Sequence, residues 1–337
     1  MTREPFRHVD RDQTIVFGAG AVAAAADELF SGAYTLLTTA RASAALPELA
    51  QRAAHVVHVP SGLVEVVAAE LRVTVTGDRL VALGGGRVID VAKALAAADA
   101  PREVAAVPTS LSGAEMTGVH RHASGVPDAT PRVRPTLVVN DPALSASQPV
   151  DQLAASAGNA LGHAITALVS AHSTPIARAV AADAVIALAA GWSDDGADRP
   201  SVALAALLAG WAVDRSGLGP HHVLAQTAVR TAGLPHAQVN VALVPFTTAA
   251  MRRRDPVGLE RLDAALGRSV ESLADDLRQR AGVTGLGDLA TDDELLSHAV
   301  ATAARRSELS RVTPPMDAAE IASIYRAARR CSTIRSV

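Results

Sequence analysis

Asn159 and His163 stand four residues apart inside an apolar run from Leu153 to Val169. On a helix that spacing sets both side chains on one face, one turn apart. The apolar surroundings turn that face inward, where an amide or imidazole without a partner costs on the order of 1–3 kcal/mol. A polar pair kept there needs partners or a chemical task. Two further histidines stand on a similar footing: His222, in the pair His221-His222, and His236, after the break Gly233-Leu-Pro. A break of that kind can bring a helix residue and the start of the next helix into one pocket. Imidazoles so placed serve proton transfer, hydrogen-bond donation to a developing alkoxide, or metal ligation. Taken singly, each is more often a satisfied core or surface residue; together they point to a site.

Two earlier loops carry a different chemistry. Leu80-Val-Ala-Leu leads into Gly84-Gly85-Gly86, and these into Arg87-Val-Ile-Asp90-Val-Ala-Lys93. A strand, a glycine turn and a helix in that order let backbone N–H groups approach an anion, and the helix N-terminus adds about half a positive charge. That suits a pyrophosphate. The pattern is not the G-x-G-x-x-G fingerprint, and Asp90 with Lys93, three apart, also reads as a helix-surface ion pair. The second loop, Val107-Pro108-Thr109-Ser110-Leu-Ser112-Gly113-Ala-Glu115-Met116-Thr117, follows a strand. In an open α/β sheet it lies where ligands bind. Its hydroxyls suit phosphate, ribose or nicotinamide, while Ser112 and Glu115 are also at capping-box spacing.

The elements that must position these residues alternate. Strands are expected at 14–17, 34–38, 55–59, 80–83, 104–107 and 136–139, with helices at 21–29, 45–53, 64–73 and 88–98 between them. That rhythm implies a doubly wound parallel sheet. From about residue 150 the chain turns to long Ala/Leu-rich segments, read as helices at 151–170, 175–192, 200–216, 221–232, 237–251, 258–267, 269–281, 291–307 and 317–330. The expected division is an α/β domain over 1–148 and a helical domain over 149–337. The polar segment 118–134 is expected to form a hairpin or an active-site flap, and 193–200 a surface loop.

The chain has 337 residues, 49% apolar and 19% charged, enough for a large core. Aromatics are 2%, which argues against stacking platforms for single-stranded nucleic acid. The net charge is −3, and Arg252-Arg253-Arg254, the one basic block, reads as a solvated loop. No nucleic acid or membrane is expected as a partner. The lone Cys331 excludes an internal disulfide and suits a reducing compartment. No apolar signal core opens the chain, so the expected location is the cytoplasm.

In order along the chain, Phe17-Gly18-Ala-Gly20, the Gly84–Gly86 turn, Pro-Thr-Ser-x-Ser-Gly-Ala-Glu-Met-Thr, Asn159-x-x-x-His163, His222 and Leu-Pro-His236 resemble the iron-containing (group III) alcohol dehydrogenase superfamily. Within it the chain looks most like the maleylacetate reductases, through Glu115-Met116-Thr117, the paired His221-His222, and Asn159 where the metal-dependent dehydrogenases carry an Asp ligand. The resemblance implies a Rossmann-like N-terminal domain and an all-helical C-terminal domain, the dehydroquinate synthase-like architecture, with a cleft between them and a homodimer. It implies NADH or NADPH as hydride donor and a small unsaturated oxo-dicarboxylate as substrate. It assigns catalytic roles to Asn159, His163, His222 and His236 and a substrate contact to His221, while Gln226 and Arg230, which replace the family's residues beside the cleft, are read as substrate contacts from their position. Cofactor contacts fall to Gly84, Gly85, Gly86, Arg87, Asp90, Lys93, Thr109, Ser110, Ser112 and Thr39. Thr39 neither binds a ribose 2′-hydroxyl as a carboxylate would nor repels a 2′-phosphate, which keeps NADPH open.

Three imidazoles and a neutral amide make a weaker divalent site than a set with a carboxylate. The expectation is a metal-free enzyme whose histidines donate hydrogen bonds or relay protons, an imidazolium stabilising the alkoxide; a metal, if bound, would fall to His163, His222 and His236. Arg87, Gln226 and Ala228-Val229-Arg230 depart from the family pattern, mostly on the substrate side. Two alternatives follow: a metal-dependent alcohol dehydrogenase tolerating Asn159, or a non-redox cyclase, lyase or binding protein on the same scaffold.

Overall fold

The computed structural model describes residues 5–193, 196–290 and 292–329. The chain divides into two units, one of residues up to Gln148 together with Asp198–Gly210, the other of Pro149–Ala197 together with the chain from Trp211 onward. Cys331 lies outside the described residues.

The first unit is built on seven strands, β1 (Phe6–Asp10), β2 (Gln13–Phe17), β3 (Thr35–Thr38), β4 (His55–His58), β5 (Arg79–Gly84), β6 (Glu103–Pro108) and β7 (Leu137–Asn140), in the order β1-β2-β7-β6-β5-β3-β4. All pairings are parallel except β1 with β2. Side chains along a strand alternate faces, and here both faces are apolar. Leu37, Leu80, Ala82, Val104 and Ala106 join one core cluster, and Leu36, Val81, Leu83, Ala105 and Val107 the other. The first face is covered by α5 (Val64–Leu71) and α6 (Gly86–Ala98). The second is covered by α1 (Ala21–Ala24), α2 (Ala26–Leu29), α3 (Ala40–Ala45) and α4 (Pro47–Arg52). Continuous apolar strands covered on both sides are what a parallel sheet requires.

Several expectations change here. β1 is an antiparallel edge strand whose polar Phe-Arg-His-Val-Asp pattern gave no strand signal. The expected helix 21–29 breaks at Ala25, and 45–53 is two short helices with Pro47 opening the second. Segment 118–134 forms neither hairpin nor helix. His120 takes the place of a ladder: its Nε2 accepts from Val133 N at 3.0 Å, and its carbonyl accepts from Arg132 Nε at 3.1 Å.

The second unit is helical apart from a two-residue pairing of β8 (Trp192–Ser193) with β9 (Gly196–Ala197), in the stretch expected to be a loop. Its helices are α7 (Val150–Val169), α8 (Pro175–Ala190), the end of α9 (Arg199–Ser216), α10 (Pro220–Ala232), α11 (His236–Arg252), α12 (Pro256–Leu266), α13 (Val270–Arg280), α14 (Asp293–Ala303) and α15 (Ala318–Arg329). Proline opens α8, α10 and α12 where its missing N–H costs nothing. Gly233 at φ 65° closes α10, a left-handed cap that favours glycine. The start of α9 belongs to the first unit rather than the helical one; a Cβ at Gly210 would stand 3.0 Å from Met116 Cβ. α7 is the buried axis of the second unit, and α11 crosses it at Gly158, where a Cβ would come within 2.7 Å of Val241. The basic block is no solvated loop. Arg252 closes α11 and pairs with Glu271 and Asp263, and Arg254 pairs with Glu320. Among the described residues, no single helix is long and apolar enough to cross a membrane.

Candidate active site

Winding reverses between β3 and β5: β4 follows β3 on one side of the sheet and β6 follows β5 on the other. Ligands of doubly wound sheets bind at the carboxyl ends of the strands at such a point. Thr39 and the Gly84–Gly86 turn stand there. Gly85 is the N-cap of α6, and no side chain caps it. Gly85 and Gly86 are half-buried and Arg87 is exposed. The glycines are needed for packing as well as for access. A Cβ on Gly86 would stand 2.8 Å from Ser112 Cβ, and one on Gly85 3.0 Å from Ser110 Oγ. The serine loop therefore lies directly against the turn. A thirteen-residue helix with an uncapped, glycine-lined N-terminus fits an anionic pyrophosphate.

Not every residue assigned to this site is free to touch a ligand. Lys93 is fully buried, and its ammonium donates to Ala114 O at 2.8 Å, Thr117 O at 3.1 Å and Val119 O at 2.9 Å, with Asp90 at 2.8 Å. Its three protons face four acceptors, so it pins the serine loop to α6 instead of reaching a phosphate. The surface ion pair expected of Asp90 and Lys93 is thus half interior. Thr39 caps α3, its Oγ1 accepting from Ala42 N at 3.3 Å. Ser112 Oγ accepts from Ala114 N at 3.2 Å in a turn, and no helix follows for a capping box. Thr109 is buried, and its N–H donates to Gly84 O at 3.0 Å, which joins the two loops. Glu115, absent from the expected site, is 1% exposed with Oε2 unpartnered, beside a water-sized void walled by Ser110, Asn140 and Ser145. Burial pushes its carboxyl up to about 7 against the pull of the Lys93 ammonium.

In the second unit α7 and α10 bring three imidazoles together. The rings of His163 and His222 are stacked, with centroids 4.3 Å apart and planes 5° apart, and His221 meets His222 edge-on at 4.9 Å. His222 Nε2 faces Asn159 Oδ1 at 3.4 Å. Nδ1 of His163 and Nδ1 of His222 are buried without a partner. Burial holds all three neutral: His163 falls to about 3, His221 to about 4 and His222 well below its usual range. Burial thus disfavours an imidazolium at His163 and His222, and favours the rings as neutral acceptors and donors.

His221 differs from its neighbours. Its Nδ1 meets Thr247 Oγ1 at 2.8 Å and its Nε2 meets Asn240 Oδ1 at 3.1 Å. Its ring lies against the backbone of α7, where a Cβ on Gly162 would come within 2.3 Å of His221 Cδ2. With both nitrogens engaged, it offers nothing to a substrate. Asn240 and Thr247 carried no sequence signal beyond being polar residues in an apolar helix. His236 opens α11 and is exposed, and its charge is felt by His163, His221 and His222. Gln226 is half-buried and Arg230 exposed, near the end of α10.

Residues 153–329 match the model of the Fe-containing alcohol dehydrogenase family, C-terminal. The chain belongs to that family. It is 33% identical over 275 residues to the maleylacetate reductase of Sphingobium indicum, covering 75% of this chain and 77% of the relative. It is 32% identical over 249 residues to maleylacetate reductase 1 of Rhodococcus opacus, covering 70% and 69%. The crystal structure of maleylacetate reductase from Agrobacterium tumefaciens superposes with a TM-score of 0.80 at 26% identity, covering 97% of this chain and 98% of that one. Membership places the chain among oxidoreductases and accounts for both units.

The family's name raises the question of iron. Of the set expected to take a metal if one binds, His163, His222 and His236, the first two as they stand do not make a chelate. Imidazole lone pairs lie in the ring plane, and two rings stacked 5° from parallel cannot aim them at one ion about 2 Å from each. Asn159 adds a neutral amide where a hard divalent cation gains most from a carboxylate. Among the described residues, no group of three His, Cys, Asp or Glu side chains is arranged to hold an ion.

Proposed function

We propose that the chain is an NAD(P)H-dependent reductase of a small oxo or unsaturated carboxylate, of the maleylacetate kind, that works without a metal. The observation that carries this is the stacked pair His163–His222, two buried neutral rings each keeping an unpartnered Nδ1 beside a neutral amide. The turn Gly84–Gly86 and the N-terminus of α6 hold the dinucleotide pyrophosphate, with Ser110 and Ser112 closing on it. The dinucleotide supplies a hydride. Asn159 Oδ1 accepts from His222 Nε2–H and fixes that tautomer, which leaves His222 Nδ1 with its lone pair bare. A neutral ring passes the proton that the reduced substrate takes up by accepting one supplied by solvent at one nitrogen as it gives up the N–H at the other, so no imidazolium accumulates.

The test is oxidation of NADH and NADPH by purified protein with maleylacetate and related oxo acids, alongside elemental analysis. The expected result is turnover that survives dialysis against a chelator, with substoichiometric iron and zinc. Stoichiometric metal lost together with activity would overturn the metal-free reading. No turnover with any oxo acid would overturn the reductase.

A further inference from the structure

The bond from His221 to Asn240 fixes the tautomer of the ring. Thr247 Oγ1 lies 2.8 Å from His221 Nδ1, but 3.1 Å and 3.2 Å from the carbonyls of Leu243 and Val244. The hydroxyl has one proton, and the neutral ring has one N–H. Asn240 Nδ2 donates to His236 O at 2.8 Å, which turns Oδ1 toward His221 Nε2. Oδ1 only accepts, so Nε2 carries the proton, Nδ1 is bare, and Thr247 donates to it. The bonds then run in one direction, from Thr247 Oγ1–H to His221, from His221 Nε2–H to Asn240, and from Asn240 Nδ2–H to the carbonyl of His236. Each link is satisfied once, and a side chain at Gly162 would run into the ring.

We infer that Asn240 and His221 are positioning residues which, through this relay, fix the first turn of α11 and with it the placement of His236. The inference rests on the reductase reading for its catalytic consequence, and on hydrogen bonds alone for its structural one. The N-cap of α11 is Pro235, which makes no side-chain cap, and the residues before it form an irregular break. A helix start left to fray moves its first side chain by an ångström or more, and misplacement on that scale costs on the order of 100-fold in rate. The ionisable groups that bear on the relay are His163 from α7, His222 from α10 and His236 itself. Tyr325 from α15 spends its hydroxyl on Leu224 O.

The test uses the full chain and four variants. Asn240→Asp keeps the shape and the acceptor for His221, but sets an oxygen against the His236 carbonyl. Asn240→Leu cuts both links, and His221→Phe, alone and with Asn240→Leu, completes a cycle. Expected for Asn240→Asp is a fall in kcat of about 100-fold with the KM for the dinucleotide unchanged, since the pyrophosphate site belongs to the other unit. Expected for the double variant is a loss equal to the larger single loss, because the residues act in series. A kcat within threefold of wild type for Asn240→Asp, or losses that multiply in the double variant, would overturn the relay. Amide hydrogen exchange reads the same relay without any substrate. The N–H of residue 240 should exchange at least about tenfold faster in Asn240→Asp while the middle of α11 is unchanged, and equal rates would overturn it. A wild-type chain that reduces no oxo acid overturns the reductase reading alone, and exchange then decides the relay. If Asn240→Leu fails to fold, Asn240→Asp supplies both readouts.

Discussion

Nδ1 of His163 and Nδ1 of His222 are carried inside the second unit at on the order of 1–3 kcal/mol each. The stack they form is a contact any aromatic ring makes, so packing does not ask for nitrogen at either place. Removing an unpartnered polar atom while keeping the ring should then be neutral or stabilising. His163→Phe is expected to melt no lower than wild type and to lose at least about 100-fold in kcat, the usual size of a proton-transfer contribution. Thermal unfolding and oxo-acid-dependent NAD(P)H oxidation on the same preparation check both halves, and full activity in a stable variant would remove His163 from the chemistry. The division of labour among the three buried histidines was not legible in the sequence. His221 and His222 are adjacent, so on a helix they point about 100° apart. Which one is satisfied depends on Asn240 and Thr247, nineteen and twenty-six residues further on.

The elements were legible where punctuation was strong. Pro175, Pro220 and Pro256 at first helical positions, and Gly233 and Gly267 past the ends, bracket the helices of the second unit to within a residue or two. Polar elements were not. β1 has no apolar alternation, and Lys93, whose charge reads as surface, is buried because three carbonyls of the 114–119 loop need donors. At this scale the α7–α10 contact is the sharpest object of test. Gly162→Ala drives a methyl to 2.3 Å from the His221 ring, and overpacking of that kind costs about 1–3 kcal/mol or somewhat more. The loss should vanish in Gly162→Ala with His221→Ala, where the ring that clashes is gone; urea unfolding that shows additive losses would mean the methyl clashes elsewhere. At the end of β3, Thr39 is spent on capping α3, and Arg41 stands exposed in the first turn after it. An Arg beside this point accommodates a 2′-phosphate and a carboxylate repels one. Thr39→Asp is expected to keep the cap, since Asp caps as well as Thr, and to move the ratio of kcat/KM for NADPH over NADH down by at least about tenfold. An unchanged ratio would place the adenosine ribose elsewhere.

For the whole molecule, the winding of the sheet followed from strand and helix rhythm, whereas the assignment of the first part of α9 to the α/β unit did not, because an Ala/Leu helix carries no mark of which core it joins. Charge, too, acts on the whole molecule, through groups whose proton affinity differs between folded and unfolded chain. His120, His163, His221 and His222 are all depressed by burial, the first three to about 4, 3 and 4. A folded chain that keeps them neutral binds fewer protons than the unfolded one below pH 6.5. Their contribution is full above that pH and is lost as pH falls. Glu115 runs the other way. Raised to about 7, it binds a proton the unfolded chain releases above pH 4.5, so its contribution is greatest in acid and is lost as pH rises through 7. For His120, His163, His221 and Glu115 the departure corresponds to about 3–5 kcal/mol each at 1.36 kcal/mol per pH unit. Four groups oppose one between pH 4.5 and 6.5, and the histidines prevail. The melting temperature is expected to hold from pH 8 to 7 and to fall steeply from 6.5 to 4.5. Glu115→Gln removes the one opposing group. It should melt above wild type at pH 8 and fall more steeply below pH 6.5, and parallel curves for the two proteins would show that Glu115 is already ionised inside the fold.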